Sequence, residues 1–424
     1  MADKSLGKAF SLFHTEEQPP VVLLALLPDD ESPLVDEVFA SVERQFEQEL
    51  LGFEVNEISV PKASWEVEMR VNTGAVYIIW SGEIDKEQMK ATNFRSITGD
   101  ELSVAQKSTK VIGLATLMKE NPLQQLQRCY RLLTVAAPKA TAFADVGTCV
   151  ARGKRWVDDM AFSCALPSIS LAYSIQQEPL DERSLLCTMG LRRFSLPEIE
   201  IHDVPQEAEE DCFNLIERSA RRFIDLGLPP EDEPFSIGKG LELIWLDRQS
   251  LQEDWAAKLR QGPLDVPAVV LFSSVGGPSW RRLENPAASP ECLNASFFVP
   301  KGEVQSRRLI AYERFQRFRT LFRLYNQREE WNFYAFVGLV DEGPIDEAEK
   351  FSWLQVEKIT ERGFLARQVK NPEERRTAES KLCHYELHFM VDWLIDSPQG
   401  FFGAEEVAVL EGLLEETSPG KKRN

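Results

Sequence analysis

With four histidines, seven scattered cysteines and no C-x-x-C pair, this 424-residue chain has little from which to build a metal or redox centre. Long apolar runs are missing too. The longest near the amino end, Val21–Leu27, has seven residues, whereas a bilayer span needs ~20. The opening stretch MADKSLGKAFSLFHTEEQPP holds no uninterrupted apolar run and no small-residue cleavage site, so no signal peptide is expected. Positive charge is also short: 48 Lys and Arg against 68 Asp and Glu leave a net charge of −20. Neutralising phosphates needs a basic surface, which argues against a general nucleic-acid binder. Neither G-x-x-x-x-G-K-[ST] nor G-x-G-x-x-G occurs. Gly238-Lys239-Gly240 is a G-x-G that precedes a strand, whereas a phosphate cradle follows one. G-x-S-x-G and H-E-x-x-H are absent as well. These gaps lead us to expect no cofactor and no metal. The odd, dispersed cysteine set points to a reducing cytoplasm.

What is present is the composition of an ordinary soluble globular protein, 43% hydrophobic and 27% charged. At ~150 residues per domain the length predicts about three domains. We place them at residues 1–120, 121–300 and 301–424, with net charges of −10, −7 and −3. In the first, Val21–Leu27 is of strand length, and Ser32-Pro33 caps a helix whose apolar residues run from Leu34 to Leu50 at helical spacing. Trp65, Val67, Met69 and Val71 alternate with Glu66, Glu68 and Arg70, and Gly74 turns this strand into Ala75–Trp80. Another strand follows at Val111–Leu117.

The second segment opens with Asn121-Pro122 and a helix to about Pro138, then strands at Ile169–Ile175 and Leu185–Leu191. In 197–202, Pro-Glu-Ile-Glu-Ile-His, the isoleucines take one face and Glu198, Glu200 and His202 the other. Ala208–Leu226 is a helix with Glu209, Glu210 and Asp211 in its first turn and Arg218, Arg221 and Arg222 towards its end, before Gly227. A strand at Leu241–Leu246, a helix at Gln249–Leu259 and a strand at Ala268–Phe272 read as β-α-β, with a loop at 276–290. The third segment begins with a helix at Val304–Gln327. Strands follow at Trp331–Val340, Phe351–Ile359, Phe364–Val369 and His384–Ile395, separated by turns at Gly343-Pro344, Arg362-Gly363 and Asn371-Pro372.

Three constellations bear on chemistry. His384 and His388 alternate with Tyr385, Leu387 and Phe389; on a strand, four residues span ~13 Å, too far for one zinc ion. Cys187 and His202 fall on neighbouring strands with Glu198 and Glu200 nearby, the ingredients of a nucleophile and base. From Val304 through Arg328, seven arginines (307, 308, 314, 317, 319, 323 and 328) face one glutamate, Glu313, while Ile310, Ala311, Phe315, Phe318, Leu321, Phe322 and Tyr325 share an arc. Such a helix either packs on the last sheet with its arginines on the chain's own carboxylates, the preferred reading, or offers a basic face to a nucleic acid or an anionic membrane. Arg314 falls inside the apolar arc, so a buried or half-buried carboxylate is expected against it.

Two stretches resemble bacterial families of unknown function. Phe351-Ser-Trp353-Leu-Gln-Val-Glu357, Gly363-Phe-Leu-Ala, Asn371-Pro372 and Val391-Asp392-Trp393-Leu resemble the YegJ-like family numbered 2314 over about 303–410. Cys187-Thr-Met189-Gly190-Leu191 through Pro197-Glu198-Ile-Glu200 resembles a histidine-Thr-histidine-Gly-Leu…Pro-Glu-Leu-Glu run of the family numbered 4026. Cys187 and Met189 stand where those histidines would be, so any metal or reaction they serve is lost here. Neither likeness carries an activity. Trp353, Trp393 and Phe364 suit one buried aromatic cluster, with Asp392 either a turn acceptor or the partner of Arg314; Arg314, Trp353, Asp392 and Trp393 all read as structural.

The expected architecture is α+β, with about three domains of mixed or antiparallel sheets and flanking helices. The expected function is a soluble bacterial interaction protein whose acidic surface binds a basic protein, as an immunity or antitoxin-type inhibitor does, with neither nucleic acid nor membrane as partner. Asp29, Asp30, Glu31, Asp36 and Glu37 are the candidate contact residues. The alternative is a hydrolase-like enzyme with its site near Cys187, Glu200 and His202.

Overall fold

The structure, a computed structural model, describes residues 19–417 except 32, 56, 85–88, 90–91, 119–120, 181, 239–240, 252–265, 278–279, 290–291, 293–300, 340–349, 370–371 and 373–380. It is an α+β protein with three mixed or antiparallel sheets. The first has eight strands: β1 (Val21–Leu27), β2 (Leu50–Val55), β3 (Ala63–Val71), β4 (Val76–Glu83), β5 (Asn93–Arg95), β6 (Lys110–Thr116), β7 (Ala142–Asp145) and β8 (Val150–Gly153). Their spatial order is β2-β3-β4-β6-β1-β7-β8-β5, antiparallel except where β5 meets β8. Because β7 pairs with β1, the sheet runs past the break expected at residue 120.

Helix α1 (Val35–Phe46) buries Val38, Val42 and Phe46. Its N-cap is Leu34; Ser32, the expected cap, lies outside the described residues. Helices α2 (Gly99–Ala105), α3 (Pro122–Ala136) and α4 (Lys154–Ala161) complete this part.

The second sheet comprises β9 (Ser174–Leu180), β10 (Arg183–Met189), β11 (Glu198–Pro205), β12 (Phe235–Gly238), β13 (Leu241–Asp247), β14 (Ala268–Gly277) and β15 (Trp280–Glu284), ordered β12-β13-β14-β11-β10-β9 with β15 on β14. Three expectations change here. Ile169–Leu171 is a 3-10 turn and the strand starts at Ser174. β13 and β14 are antiparallel neighbours, so they do not form a β-α-β unit; residues 252–259 of the intervening predicted helix lie outside the described residues. The expected loop at 276–290 is largely the end of β14 and a hairpin return through β15. Helix α5 (Glu209–Leu226) covers the isoleucine face, where Ile199, Ile201, Leu215, Ile216 and Phe223 form a core.

The third sheet, β16 (Asn332–Leu339), β17 (Lys350–Ile359), β18 (Gly363–Val369), β19 (Cys383–Glu386), β20 (Met390–Ser397) and β21 (Gly400–Gly403), is antiparallel in the order β19-β18-β17-β16-β20-β21. The long arginine helix is two helices, α6 (Lys301–Glu313) and α7 (Phe315–Tyr325), broken at Arg314; α8 (Val407–Thr417) closes the chain. The strand expected through 384–395 is likewise interrupted by a 3-10 turn at Leu387–Phe389, which places His388 off the strand. The Tyr312 hydroxyl donates to the Leu387 carbonyl at 2.5 Å and pins that turn. Residues 21–172 and 310–410 contribute to one continuous core, whereas the second sheet keeps its own. The natural division is therefore a central unit from about Tyr173 to Cys292 between two parts that share a core.

Among the described residues no helix is long and apolar enough to cross a membrane.

Candidate functional site

The polar face of β11 is buried. Glu198, Glu200 and His202 are 4%, 2% and 6% exposed, so the alternation seen in sequence separates two interiors and not core from water. Glu200 accepts from Arg248 Nη1 at 2.6 Å and lies 2.8 Å from His202 Nε2; Arg248 also donates to the Val266 carbonyl. Cys187 faces Glu200 in register across β10 and β11. No hydrogen bond joins Cys187 to His202 among the described residues, and burial, reinforced by Glu200 and Glu198, pushes the Cys187 thiol up to about 12. The pair thus lacks the contact that would make the thiol a nucleophile.

Thiol labelling checks this directly. With its thiolate about a thousand-fold scarcer than that of a free cysteine, Cys187 should resist a disulfide reagent at pH 8 until the chain unfolds. Exposed Cys164 should react at once. Fast native labelling of Cys187, followed by mass spectrometry, would contradict the assignment.

Glu198 has a different task. It accepts from Thr188 Oγ1 (2.8 Å) and from the backbone N–H groups of Gly190 (2.9 Å) and Leu191 (3.3 Å). Gly190 sits at φ +112°, and a Cβ there would meet the Ala172 carbonyl oxygen at 2.7 Å, so only glycine fits. The Thr-Met-Gly-Leu…Pro-Glu run is thus a clamped turn. It carries Arg193 to Asp145 at the end of β7, through two hydrogen bonds of 2.8 and 2.9 Å.

The residues read as structural separate. Arg314, 5% exposed, meets Asp159 on α4 at 2.8 Å and donates to the Ala404 carbonyl. Asp392 is not its partner; it accepts from the Trp393 N–H and lies 3.9 Å from Arg307. Burial pushes its carboxyl up to about 6. Trp393 is fully buried against Phe318 and donates to the Ala311 carbonyl beside the helix break. Trp353 does not join it and Phe364. It is half-buried on the opposite face of the sheet, against Phe336, because Phe336 and Trp353 are register partners one step out of phase with Ala335 and Trp393. Arg307 and Arg317 of this region pair with Glu303, and with Asp159 and Glu411.

His384 and His388 contact Thr360 and Glu386 respectively. Among the described residues no three His, Cys, Asp or Glu side chains are grouped to hold a metal ion.

The acidic candidates lie at one side of the first sheet. Asp29 is engaged by Thr109 (N–H and Oγ1, both 3.0 Å) and Glu31 by Lys139 (2.9 Å). Asp30 is exposed, and so are Asp36 and Glu37 in the first turn of α1. Sequence reasoning missed what stands beside them. β2 is the edge strand of the sheet, joined to α1 through Phe39 and Phe53, whose rings are 4.4 Å apart. Its Leu51 and Val55 are 70% and 71% exposed, and Ile58 follows at 53%. Between residues 29 and 68 there are twelve acidic and two basic side chains, a net of −10 that equals the whole charge of the first 120 residues. Glu43, Glu47, Glu54 and Glu57 are exposed within it. Only the edge position, invisible to periodicity, turns this composition into a surface.

The fold and its surface thus define a three-sheet α+β protein with a buried polar network at its centre and an acidic sheet edge. Residues 173–266 match the family described as Protein of unknown function (DUF4026) C-terminal. The matched stretch covers the central unit from Tyr173 almost to β14, including the clamped Gly190 turn and α5. No curated protein and no solved structure matches the chain.

Proposed function

We propose that this chain is a protein-binding module whose acidic edge strand β2 receives an extended segment of a basic partner, as an immunity-type inhibitor receives a cationic toxin. The observation that carries it is the edge itself: exposed Leu51 and Val55 on a terminal strand, inside a stretch of net charge −10. Natural edge strands are blunted by lysine, proline or a covering element. Leu50–Val55 has none of those residues, and Glu54 with the flanking Glu47 and Glu57 would repel a second copy while attracting a cationic strand. Strand addition supplies backbone hydrogen bonds, and opposite charge supplies speed and discrimination. Seven cysteines without a disulfide agree with a reducing, cytoplasmic setting. The likeness of 303–410 to the YegJ-like family belongs to this proposal as well, as a reading of the third sheet.

A strand-length peptide of alternating arginine and valine tests it, with an arginine–proline peptide of equal charge as control. The first should bind at least ten-fold more tightly at low salt, and Glu54→Lys with Glu57→Lys should remove that preference. Equal binding of the two peptides, or binding indifferent to the reversal, would overturn the reading.

A further inference from the structure

A cleft of about 670 Å³ opens in the first part of the molecule, where the end of α1 leads into the acidic edge strand β2. The end of α1, the β3–β4 hairpin and the first three turns of α3 enclose it, and Glu49, Thr73, Tyr77, Asn121, Arg128 and Arg131 are among its walls. Its chemistry runs against the rest of the chain. Arg131 donates its Nε to the Ala161 carbonyl and lies over Phe162, with no carboxylate in ion-pair range among the described residues. Arg128 is paired with Glu49 and lies near the Thr73 hydroxyl. Among the described residues, two guanidinium groups are therefore opposed by one carboxylate.

Helix α3 adds to this. It points its amino end at the same space with no acid in its first turn, and the Asn121 side chain makes no capping bond. Helices α1, α2 and α5 begin with acids, whereas α4, α7 and α8 share the acid-free start of α3. A 15-residue helix concentrates about half a positive charge at such an end.

An independent observation points the same way. Tyr77 is 0% exposed, lines the cleft, and its hydroxyl has no hydrogen-bond partner among the described residues. A buried hydroxyl left without a partner destabilises the fold, a loss that a ligand oxygen would recover. Glu49 then acts as an internal stand-in, an anion that occupies Arg128 until a better one arrives.

We infer that this cleft binds a phosphate monoester carrying an organic body of roughly nucleotide size, with Arg128 and Arg131 on the phosphate and Glu49 displaced from Arg128 on binding. Guanidinium forks match phosphate oxygens bidentately, and the volume lies within the range of small-molecule sites. The organic body is needed to fill it. Inorganic phosphate alone would leave most of the cleft to water.

Isothermal titration of the full chain with adenosine 5′-monophosphate, ribose 5-phosphate, inorganic phosphate and adenosine tests the assignment. The two monoesters should bind, inorganic phosphate should bind at least ten-fold more weakly than the nucleotide, and adenosine should give no heat. Arg128→Gln should weaken nucleotide binding at least ten-fold. Glu49→Gln, by removing the competing anion, should tighten it several-fold, a gain that a merely structural pair would not give. Tyr77→Phe breaks no bond within the protein, so it should keep the melting temperature and lose several-fold in affinity. Absence of heat with every anion, equal binding of phosphate and nucleotide, or affinity unmoved by Arg128→Gln and Glu49→Gln would each overturn it.

Discussion

Replacing Arg193 by alanine is expected to cost about 3–5 kcal/mol of stability, the range for breaking one side of a buried ion pair. The side chains of Arg193 and Asp145 are 4% and 0% exposed and share two hydrogen bonds of 2.8 and 2.9 Å. Burial alone would push the guanidinium towards neutrality, but Asp145 more than restores its charge. Without Arg193 the carboxylate keeps the Gly147 N–H as a donor but no cation, in a space that water does not reach. The double change Arg193→Met with Asp145→Leu should be far milder than either single one, because it removes the uncompensated charge along with the pair. Urea unfolding followed by tryptophan fluorescence gives the coupling from the four variants. A loss below about 1 kcal/mol for Arg193→Ala would show that the pair is not a clamp.

That clamp is instructive about what a sequence makes visible. Local periodicity reported local things well. The β3–β4 hairpin, α5 with its acid-to-base order and the Gly227 stop, and the alternation in β11 all follow from spacing of two or 3.6 residues. Long-range pairing leaves no such trace. β7 joins β1 across more than a hundred residues, a pairing that no spacing near residue 120 announces. Arg193 stands in a short Arg-Arg pair that reads as a solvated turn, until Glu198 and Gly190 fold the loop and aim it at Asp145. The helix break at Arg314 was hidden for a related reason: the apolar arc continues through it, and only the pull of Asp159 and the Ala404 carbonyl marks the site. Of the candidate surface, the acids were legible and the exposed apolar edge was not, because edge position depends on the order of strands in space. The cleft residues were silent. Arg128 and Arg131 look like any polar face of an amphipathic helix.

The other side of the central unit is held by Glu303, and neutralising it as Glu303→Gln should cost about 2–4 kcal/mol at pH 7, chiefly by leaving the buried Arg221 and the half-buried Arg218 short of a partner. Glu303 lies at 3.0 Å from Arg218, 2.8 Å from Arg221 and 2.7 Å from Arg307, with 8% of its side chain exposed. Arg218 and Arg221 belong to α5 and Arg307 to α6, so one carboxylate ties the second sheet's helix to the third sheet's. Arg221, itself 7% exposed, keeps Glu217, which places the cost below that of Arg193→Ala. Burial acts to raise the Glu303 carboxyl, but the three guanidinium groups outweigh it and hold the group below its ordinary 4.5. A carboxyl whose pKa falls on folding stabilises the native state above its unfolded value and loses that contribution as pH drops through the folded one. The difference between wild type and Glu303→Gln should therefore be full at pH 7, shrink below about pH 4.5, and vanish in stronger acid. If the difference persisted unchanged into acid, the cost would come from lost shape or packing and not from charge. Taken with Arg193, the result bears on cooperativity: the central unit has its own core, and two buried ionic contacts bind it to a neighbouring body that shares another. Either substitution should split one unfolding transition into two, with the 173–292 unit melting apart from the rest, since a separate core survives the loss of the clamp.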